Sequence, residues 1–202
     1  MSRPIFRFAP SPNGALHLGH ALSALTGFEL ARRFGGRFLV RIEDIDTARA
    51  RPEFVQGIFD DLAWLGITWE EPVLMQSQHF PDYVAAAEKL RSLGLLYPCF
   101  ATRNEIVAAA DVTRLDPEGA LVYPGLWRGR SAEDVASVCA QGTTFALRID
   151  MARAIELAHH KTGGSPLTFT EFDEGRTERK VIADPARWGD VLQACVDASP
   201  TP

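Results

Sequence analysis

The N-terminal half of the chain alternates between short apolar runs and longer segments with helical spacing. Residues 5–8 alternate in the manner of a strand, and residues 38–42 form a second apolar strand. Between them, apolar side chains recur at helical intervals, and Gly35-Gly36 is typical of a helix end. The predicted inward positions of this first helix are Ala21, Leu22, Leu25, Phe28 and Ala31.

The same spacing predicts two further helices. The second begins near Pro52, which suits a first helical turn, and the third follows Pro81 and stops at Gly94. The predicted inward positions are Phe54, Ile58, Leu62 and Leu65 in the second helix and Val84, Ala87, Leu90 and Leu93 in the third. The order β-α-β-α, with connections of helical length, predicts an α/β fold with a parallel sheet.

The pattern changes from residue 97 to about residue 145, where prolines and glycines interrupt the chain often. This composition predicts an inserted, loop-rich subdomain with one helix over 104–110. Strands are predicted over 144–150 and 167–172, whereas residues 192–202 show no clear periodicity.

Composition narrows the class of protein only moderately. The 202 residues are 46% apolar and 23% charged, as in ordinary water-soluble domains, and no apolar run approaches the length of a membrane span. The three cysteines, Cys99, Cys139 and Cys195, are widely spaced, so we expect a reducing, cytoplasmic setting rather than a disulfide framework. A net charge of −5 argues against nonspecific coating of nucleic acid but leaves room for a specific RNA partner.

The connection between the first strand and the first helix carries the most chemistry. A Pro/Gly loop leads into a helix whose first turn carries His17 and His20 on one face. A helix N-terminus with two such donors is suited to phosphate, although neither G-x-G-x-x-G nor G-x-x-x-x-G-K-[ST] occurs here. The spacing alone leaves three interpretations open: a metal pair, phosphate donors, or capping and surface histidines.

Several motifs in order resemble one family. Pro10-Ser11-Pro12, Gly14 and His17-Leu18-Gly19-His20 resemble the first signature of class I aminoacyl-tRNA synthetases. With Arg7-Phe8-Ala9 and Arg41-Ile42-Glu43-Asp44 they resemble the glutamyl branch, and specifically the short glutamyl-queuosine tRNA(Asp) synthetases. The other matching segments are 68–72, 76–77, 97–103, 145–150 and 188–190.

The resemblance implies a Rossmann-like fold and a reaction in which glutamate attacks the α-phosphate of ATP, with Mg²⁺ accompanying the nucleotide. On its motifs, the catalytic residues are His17, Gly19 and His20, and ATP is bound by Pro10, Ser11, His17, Gly19 and His20. The implied glutamate site consists of Arg7, Phe8, Ala9, Pro10, Ser11 and Glu43. A glycine at position 19 would let a nucleotide approach the backbone closely.

Charge gives these roles a physical basis. A planar guanidinium at Arg7 suits a carboxylate, and Glu43, after the second strand, suits an ammonium group. The alternative for Arg7 is a structural ion pair with Glu43 or Asp44. Asp44 and Asp46 favour turn and capping roles over ligand binding.

The chain departs from the family at its implied zinc site. That site uses Cys-x-Cys and a later Tyr-x-x-x-Cys, and here Cys99 and Tyr123 match while Ala101 and Trp127 replace the other two cysteines. One thiolate and a phenol are a poor structural zinc site. We therefore expect zinc to be absent and Trp127 to pack apolar surface instead.

The lysine-rich second signature of the family is also missing. The only lysines are Lys89, Lys161 and Lys180, and the resemblance ends after Asp190, which suggests a truncated or frameshifted product. The expected segments are 1–96, the first half of the nucleotide-binding catalytic domain; 97–144, the inserted subdomain; and 145–202, a truncated return to the catalytic domain. Half of a parallel sheet would expose an edge, which predicts self-association.

Three functions from different classes therefore compete. The first is ATP-dependent activation of glutamate and its transfer to the queuosine base of tRNA(Asp), without any membrane partner. The second is a non-catalytic remnant that binds nucleotide or glutamate. The third is a nucleotidylyltransferase, which would have no need of the amino-acid pocket that Arg7 and Arg41-Ile42-Glu43-Asp44 indicate; a zinc hydrolase using His17 and His20 is a more distant fourth.

Overall fold

The computed structural model describes residues 3–172 and 178–196, which fall into two compact units, residues 1–84 and 85–202. The first unit is an α/β layer, as predicted. Its strands are β1 (Ile5–Phe8), β2 (Arg37–Ile42) and β3 (Glu70–Met75), and its helices are α1 (Leu18–Arg33) and α2 (Pro52–Trp64). The sheet order is β1-β2-β3 with both pairings parallel. Helix α3 (Phe80–Ser92) begins at the end of this unit.

One face of this sheet carries the hydrophobic core. Phe38, Val40 and Ile42 alternate along β2 toward the core, where Phe8 joins them. Ile58 and Leu62, on the predicted stripe of α2, cover the same cluster and are almost fully buried. The opposite face carries the intervening residues of β2, which are only half-buried and include Arg37 and Arg41, and with Arg7 of β1 they make this a charged face.

Helix α1 packs on the sheet through Phe28 and Ala31, as predicted, but not through Leu22 and Leu25. Leu22 and Leu25 are 69% and 40% exposed, while Ala24 and Ala31 are buried. The reason is close approach: a Cβ at Gly27 would lie 3.2 Å from the Phe38 ring. Small residues of α1 therefore face the strands beside Phe28, whose ring lies 5.5 Å from that of Phe38, and Leu22 and Leu25 point outward.

Two other expectations in this region need correction. Along α3, Val84 and Leu93 are 62% and 47% exposed rather than inward, because the described residues cover the apolar face of the helix only in part. Strand β3 was not predicted, since its sequence begins with two glutamates and Pro72, all poor strand formers.

The second unit is built around antiparallel pairing. Its strands β4 (Leu96–Cys99), β5 (Phe145–Ile149) and β8 (Leu192–Val196) form a sheet in the order β4-β5-β8, and β6 (Thr168–Phe172) pairs with β7 (Glu178–Ile182). Its helices are α4 (Arg103–Ala109), α5 (Ala132–Cys139) and α6 (Met151–Lys161). The helix predicted over 104–110 and the strands over 144–150 and 167–172 are confirmed. Helices α5 and α6 and strand β8 were not predicted, and residues 197–202 lie outside the described residues. The segment boundaries at 96/97 and 144/145 stay predictions.

Asp190 is the polar centre of the second unit. Its carboxylate is fully buried and accepts hydrogen bonds from the Tyr97 hydroxyl, from Arg128 Nε (2.6 Å) and from the Met151 backbone N–H (3.0 Å). Arg148 donates to the Asp190 carbonyl at 2.8 Å. Through its side chain and its carbonyl, one residue thus ties β4, β5, the start of α6 and the loop before α5 together. Burial first, and then Asp190, raise the pKa of Tyr97.

Candidate active site

The loop between β1 and α1 is held against the end of β2 by its backbone. The Glu43 N–H donates to the Pro10 carbonyl at 2.9 Å, and the Arg51 N–H donates to the Pro12 carbonyl at 3.3 Å. Both prolines are buried. Since the carboxyl ends of parallel strands are where open α/β sheets bind ligands, this anchoring fixes the loop where a ligand would lie.

His17 and His20 form a stacked pair at the start of α1. His17 is the N-cap, and its Nδ1 accepts the Gly19 N–H at 3.1 Å, while His20 Nδ1 accepts the His17 N–H at 3.2 Å. The two ring centroids are 3.9 Å apart. Because both Nδ1 atoms accept hydrogen bonds, each neutral ring carries its proton on Nε2 and offers an outward donor.

The histidine pair has the capping role, and its role as phosphate donors stays a prediction. The rings cap the helix through Nδ1 and leave Nε2–H available beside the N–H groups of the helix terminus. Partial burial, and then repulsion from His17, lower the pKa of His20 below its ordinary value. Near neutral pH this ring is a neutral hydrogen-bond donor.

We expect His20 to titrate below about pH 6.5 in the folded protein. Because the pKa of His20 is lower in the folded state, folding favours the neutral ring. The stability that this preference contributes is present above pH 6.5 and is lost as the pH falls from 6.5 through the folded pKa. His17→Gln should raise the midpoint of the His20 titration, because it removes the His17 ring that repels a protonated His20. The Cε1–H chemical shift of His20, followed by NMR across pH, measures both; a midpoint at or above 6.5 would contradict the description.

The structure gives a local reason for a glycine at position 19, in addition to the close approach of a nucleotide predicted from the sequence. A Cβ at this position would lie 3.0 Å from Cε1 and 3.2 Å from Nδ1 of His17. The missing side chain thus lets the His17 ring fold back over the first turn and accept the Gly19 N–H. Whether it also admits a nucleotide stays a prediction.

The charged groups predicted for glutamate lie at the ends of β1 and β2. Arg7 is exposed and forms no hydrogen bond or ion pair with other described residues, so its structural ion-pair alternative finds no support. Glu43 instead forms an ion pair with Arg41. Asp44 is buried and accepts from the Ser77 N–H (2.8 Å) and Oγ (2.7 Å), which ties the end of β2 to the short helix Gln76–His79.

Among the other predicted residues, some are buried in the fold and some are accessible to a ligand. Phe8 is 5% exposed and its side chain belongs to the hydrophobic core, so only its backbone could meet a ligand. Ala9 is half-buried, Pro10 is buried, and Ser11 is exposed at the same end of the sheet. Asp46 accepts hydrogen bonds from Arg49, which closes a local turn.

Sequence reasoning missed Arg41. Its guanidinium contacts Glu43, and its Nε is buried without a hydrogen-bond partner among the described residues. The signal was present, since Arg41 stands two residues before Glu43 on an alternating strand and so shares its face.

In the second unit, the residues that match the zinc pattern form a hydrogen-bonded and aromatic cluster. Cys99 Sγ lies 3.3 Å from the Tyr123 hydroxyl, which accepts the Trp127 N–H at 3.0 Å. The Trp127 ring packs 4.7 Å from Phe100, whose ring lies 5.2 Å from that of Phe145. A single thiol with its phenol partner does not fit a four-ligand zinc site. Burial, and then the Cys99 hydrogen bond, raise the pKa of Tyr123.

The described residues also bear on metal binding and on membrane insertion. Within residues 3–172 and 178–196, no group of three or more His, Cys, Asp or Glu side chains is arranged to hold a metal ion. Over the same ranges, no helix combines the length and apolar character needed to cross a bilayer.

With the fold and site described, comparison with known proteins assigns the family. The family model described as "tRNA synthetases class I (E and Q), catalytic domain" matches residues 5–161. The chain belongs to this family, and the class I synthetase fold predicted from its motifs is confirmed.

Individual relatives show which members of this family the chain is similar to. A glutamyl-Q tRNA(Asp) synthetase of Rhodobacter capsulatus is 47% identical over 163 residues, which cover 79% of this chain and 58% of that protein. A glutamate–tRNA ligase of Prochlorococcus marinus is 35% identical over 89% of this chain and 39% of its own length. The solved glutamate tRNA ligase of Elizabethkingia meningosepticum, crystallised with its amino acid, superposes with a TM-score of 0.66 at 26% identity, covering 99% of this chain and 40% of that one. The chain thus spans between about two fifths and three fifths of these relatives.

Proposed function

We propose that the first unit carries a site for L-glutamate and ATP that forms glutamyl-adenylate, and that the glutamyl group goes to the queuosine base of tRNA(Asp). The observation that supports this most is that Arg7 lies near the end of β1 and Glu43 directly after β2, while Ser11 and the His17–His20 pair lie on the loop and helix that follow β1. The anionic and cationic ends of an amino acid and the phosphates of a nucleotide all find partners of opposite character there.

The proposed reaction needs positioning and charge stabilisation more than covalent help. A carboxylate oxygen of glutamate attacks the α-phosphorus of ATP, the new P–O bond forms, and the bond to the leaving pyrophosphate breaks. Mg²⁺ accompanying ATP would neutralise part of the phosphate charge. The Nε2–H groups of His17 and His20 and the free N–H groups of α1 would stabilise the negative charge on the phosphates.

The choice of acceptor rests on the relatives. The glutamyl-Q tRNA(Asp) synthetase is 47% identical over 163 residues, against 35% over 186 residues for the glutamate–tRNA ligase of Prochlorococcus marinus and 53% over a shorter stretch of 103 residues for a glutamate–tRNA ligase of Methylobacterium sp.. Charging tests the choice: [¹⁴C]glutamate should be transferred to queuosine-containing tRNA(Asp) in preference to tRNA(Glu). Transfer to tRNA(Glu) alone would refute the assignment of the acceptor.

Glutamate-dependent exchange of pyrophosphate into ATP tests the activation step. Exchange above the background without glutamate supports the proposal. Binding of both substrates without exchange would support the second function, a non-catalytic binding module. Absence of binding to either substrate would refute both.

We further propose that the second unit contains no structural zinc. Trp127 and Phe100 supply aromatic packing where the family pattern has a thiolate, and Cys99 already has a hydrogen-bond partner in Tyr123. Protein purified without chelators should contain far less than one zinc per chain by plasma mass spectrometry, and EDTA should leave its thermal unfolding unchanged. Stoichiometric zinc would contradict this prediction.

We also propose that the chain self-associates through its first unit. Strand β1 pairs only with β2 among the described residues, which leaves its other edge open, and Leu18 and Leu22 on α1 are 89% and 69% exposed. Size-exclusion chromatography with light scattering should show dimers or larger species at micromolar concentration. A monodisperse monomer over the whole concentration range would contradict this.

A further inference from the structure

Arg41 occupies the middle of the charged face described above. Phe38, Val40 and Ile42 turn toward the core, so Arg41 lies on the other face of β2. Arg7 pairs with Leu39 in the β1–β2 register and therefore shares that face.

The register of β1 and β2 also shows where Arg41 lies relative to Arg7 and Ser11. Phe8 pairs with Val40, and the Glu43 N–H bonds the Pro10 carbonyl beyond the end of β1. Continuing this ladder sets Arg41 beside Ala9, between Arg7 and Ser11. The small Ala9 side chain leaves room above its neighbour.

The hydrogen bonding of Arg41 is incomplete without a ligand. A guanidinium has five N–H donors, and the contact described for Arg41 is the ion pair of its Nη2 with Glu43 Oε1. Its Nε is buried without a partner among the described residues, and the side chain as a whole is 27% exposed. Glu43 likewise keeps Oε2 outside this ion pair.

The charges on this face match a dicarboxylic amino acid. Arg7 and Arg41 are cationic and Glu43 is anionic, so the three groups sum to one positive charge, against one negative charge on an amino acid with two carboxylates and one ammonium. We propose that Arg41 is a specificity-determining residue of the proposed glutamate site: its charge makes the site require a second carboxylate. This inference rests on the proposed function.

Glutamine, in which an amide replaces the side-chain carboxylate of glutamate, is the ligand that this site should discriminate against. Glutamine is net neutral and has no second carboxylate, so a site with two arginines and one glutamate leaves one cation uncompensated. Removing Arg41 should therefore weaken the binding of the acid and leave that of the amide almost unchanged. A residue with a purely structural role would weaken both ligands by the same factor.

The test is calorimetric titration of the whole chain with L-glutamate and L-glutamine, for the wild type, Arg41→Met and Arg41→Lys. The expected result is a loss of about tenfold or more in glutamate affinity for Arg41→Met, typical of one charge-assisted hydrogen bond, with glutamine affinity within about twofold. Arg41→Lys keeps the charge without the planar fork and should recover part of the discrimination.

Arg37→Met is the matched control. Arg37 lies on the same face of β2 and pairs with Glu70 at 2.6 Å, away from the site end, so its replacement should not change the ratio of the two affinities. If the wild type binds glutamate and Arg41→Met and Arg41→Lys keep its acid-to-amide ratio, the inference about Arg41 fails and the proposed function stands. If the wild type binds no glutamate, the proposed function fails and the inference with it.

Discussion

Replacing Asp190 by asparagine should lower the free energy of unfolding by about 3 kcal/mol. The substitution keeps the shape of the side chain but removes the charge that faces Arg128, and it turns an NH₂ group toward groups that are themselves donors. These are the Met151 N–H if the NH₂ group takes the place of Oδ1, or the Tyr97 hydroxyl and Arg128 if it takes the place of Oδ2. Arg128 is 44% exposed and can regain water, which keeps the expected loss below that of a fully buried pair.

Urea unfolding followed by circular dichroism measures this loss. Asp184→Asn is the control, because Asp184 is exposed and makes no capping hydrogen bond, and it should change stability by less than about 0.5 kcal/mol. Equal midpoints and slopes for the wild type and Asp190→Asn would mean that the buried network does not stabilise the second unit.

Replacing Arg7 by methionine should reduce the affinity for L-glutamate by roughly 100-fold, the effect of losing a bidentate carboxylate contact. Stability should change little, because the Arg7 side chain is exposed and has no partner among the described residues. Calorimetric titration measures the affinity and thermal unfolding checks the fold.

Arg32→Met is the matched control for Arg7, since Arg32 is an exposed arginine of the same unit whose ion pair with Glu29 lies on α1. It should bind glutamate like the wild type. An unchanged affinity in Arg7→Met would remove this arginine from the site and leave the amino-acid half of the proposal without its main cation.

Local periodicity predicted the first unit well and failed where tertiary contacts decide. Strands β1 and β2 and helix α2 follow their apolar spacing, and Ile58 and Leu62 are buried as expected. In α1 the spacing predicted Phe28 and Ala31 correctly, but close packing of Gly27 against Phe38 brings small residues inward and leaves Leu22 and Leu25 exposed. No periodic signal distinguishes an outward leucine from an inward one when both faces are apolar.

The candidate site could be predicted to the extent that it is local in sequence. The loop and the histidine pair lie within a few residues of one another, so the spacing of His17 and His20 already placed them on one helical turn. The role of Asp190 could not be derived in this way, because its partner Tyr97 is 93 positions away. Arg41 lay between these extremes: its face was predictable, but its contact with Glu43 required the structure.

The most direct test of the central claim, a joint site for glutamate and ATP in the first unit, uses a stable mimic of the proposed intermediate. Calorimetric titration with 5′-O-(glutamylsulfamoyl)adenosine should give one molecule bound per chain, displaced by L-glutamate and by ATP and strongly weakened in Arg7→Met. Absence of binding, or binding that neither substrate displaces, would contradict the account.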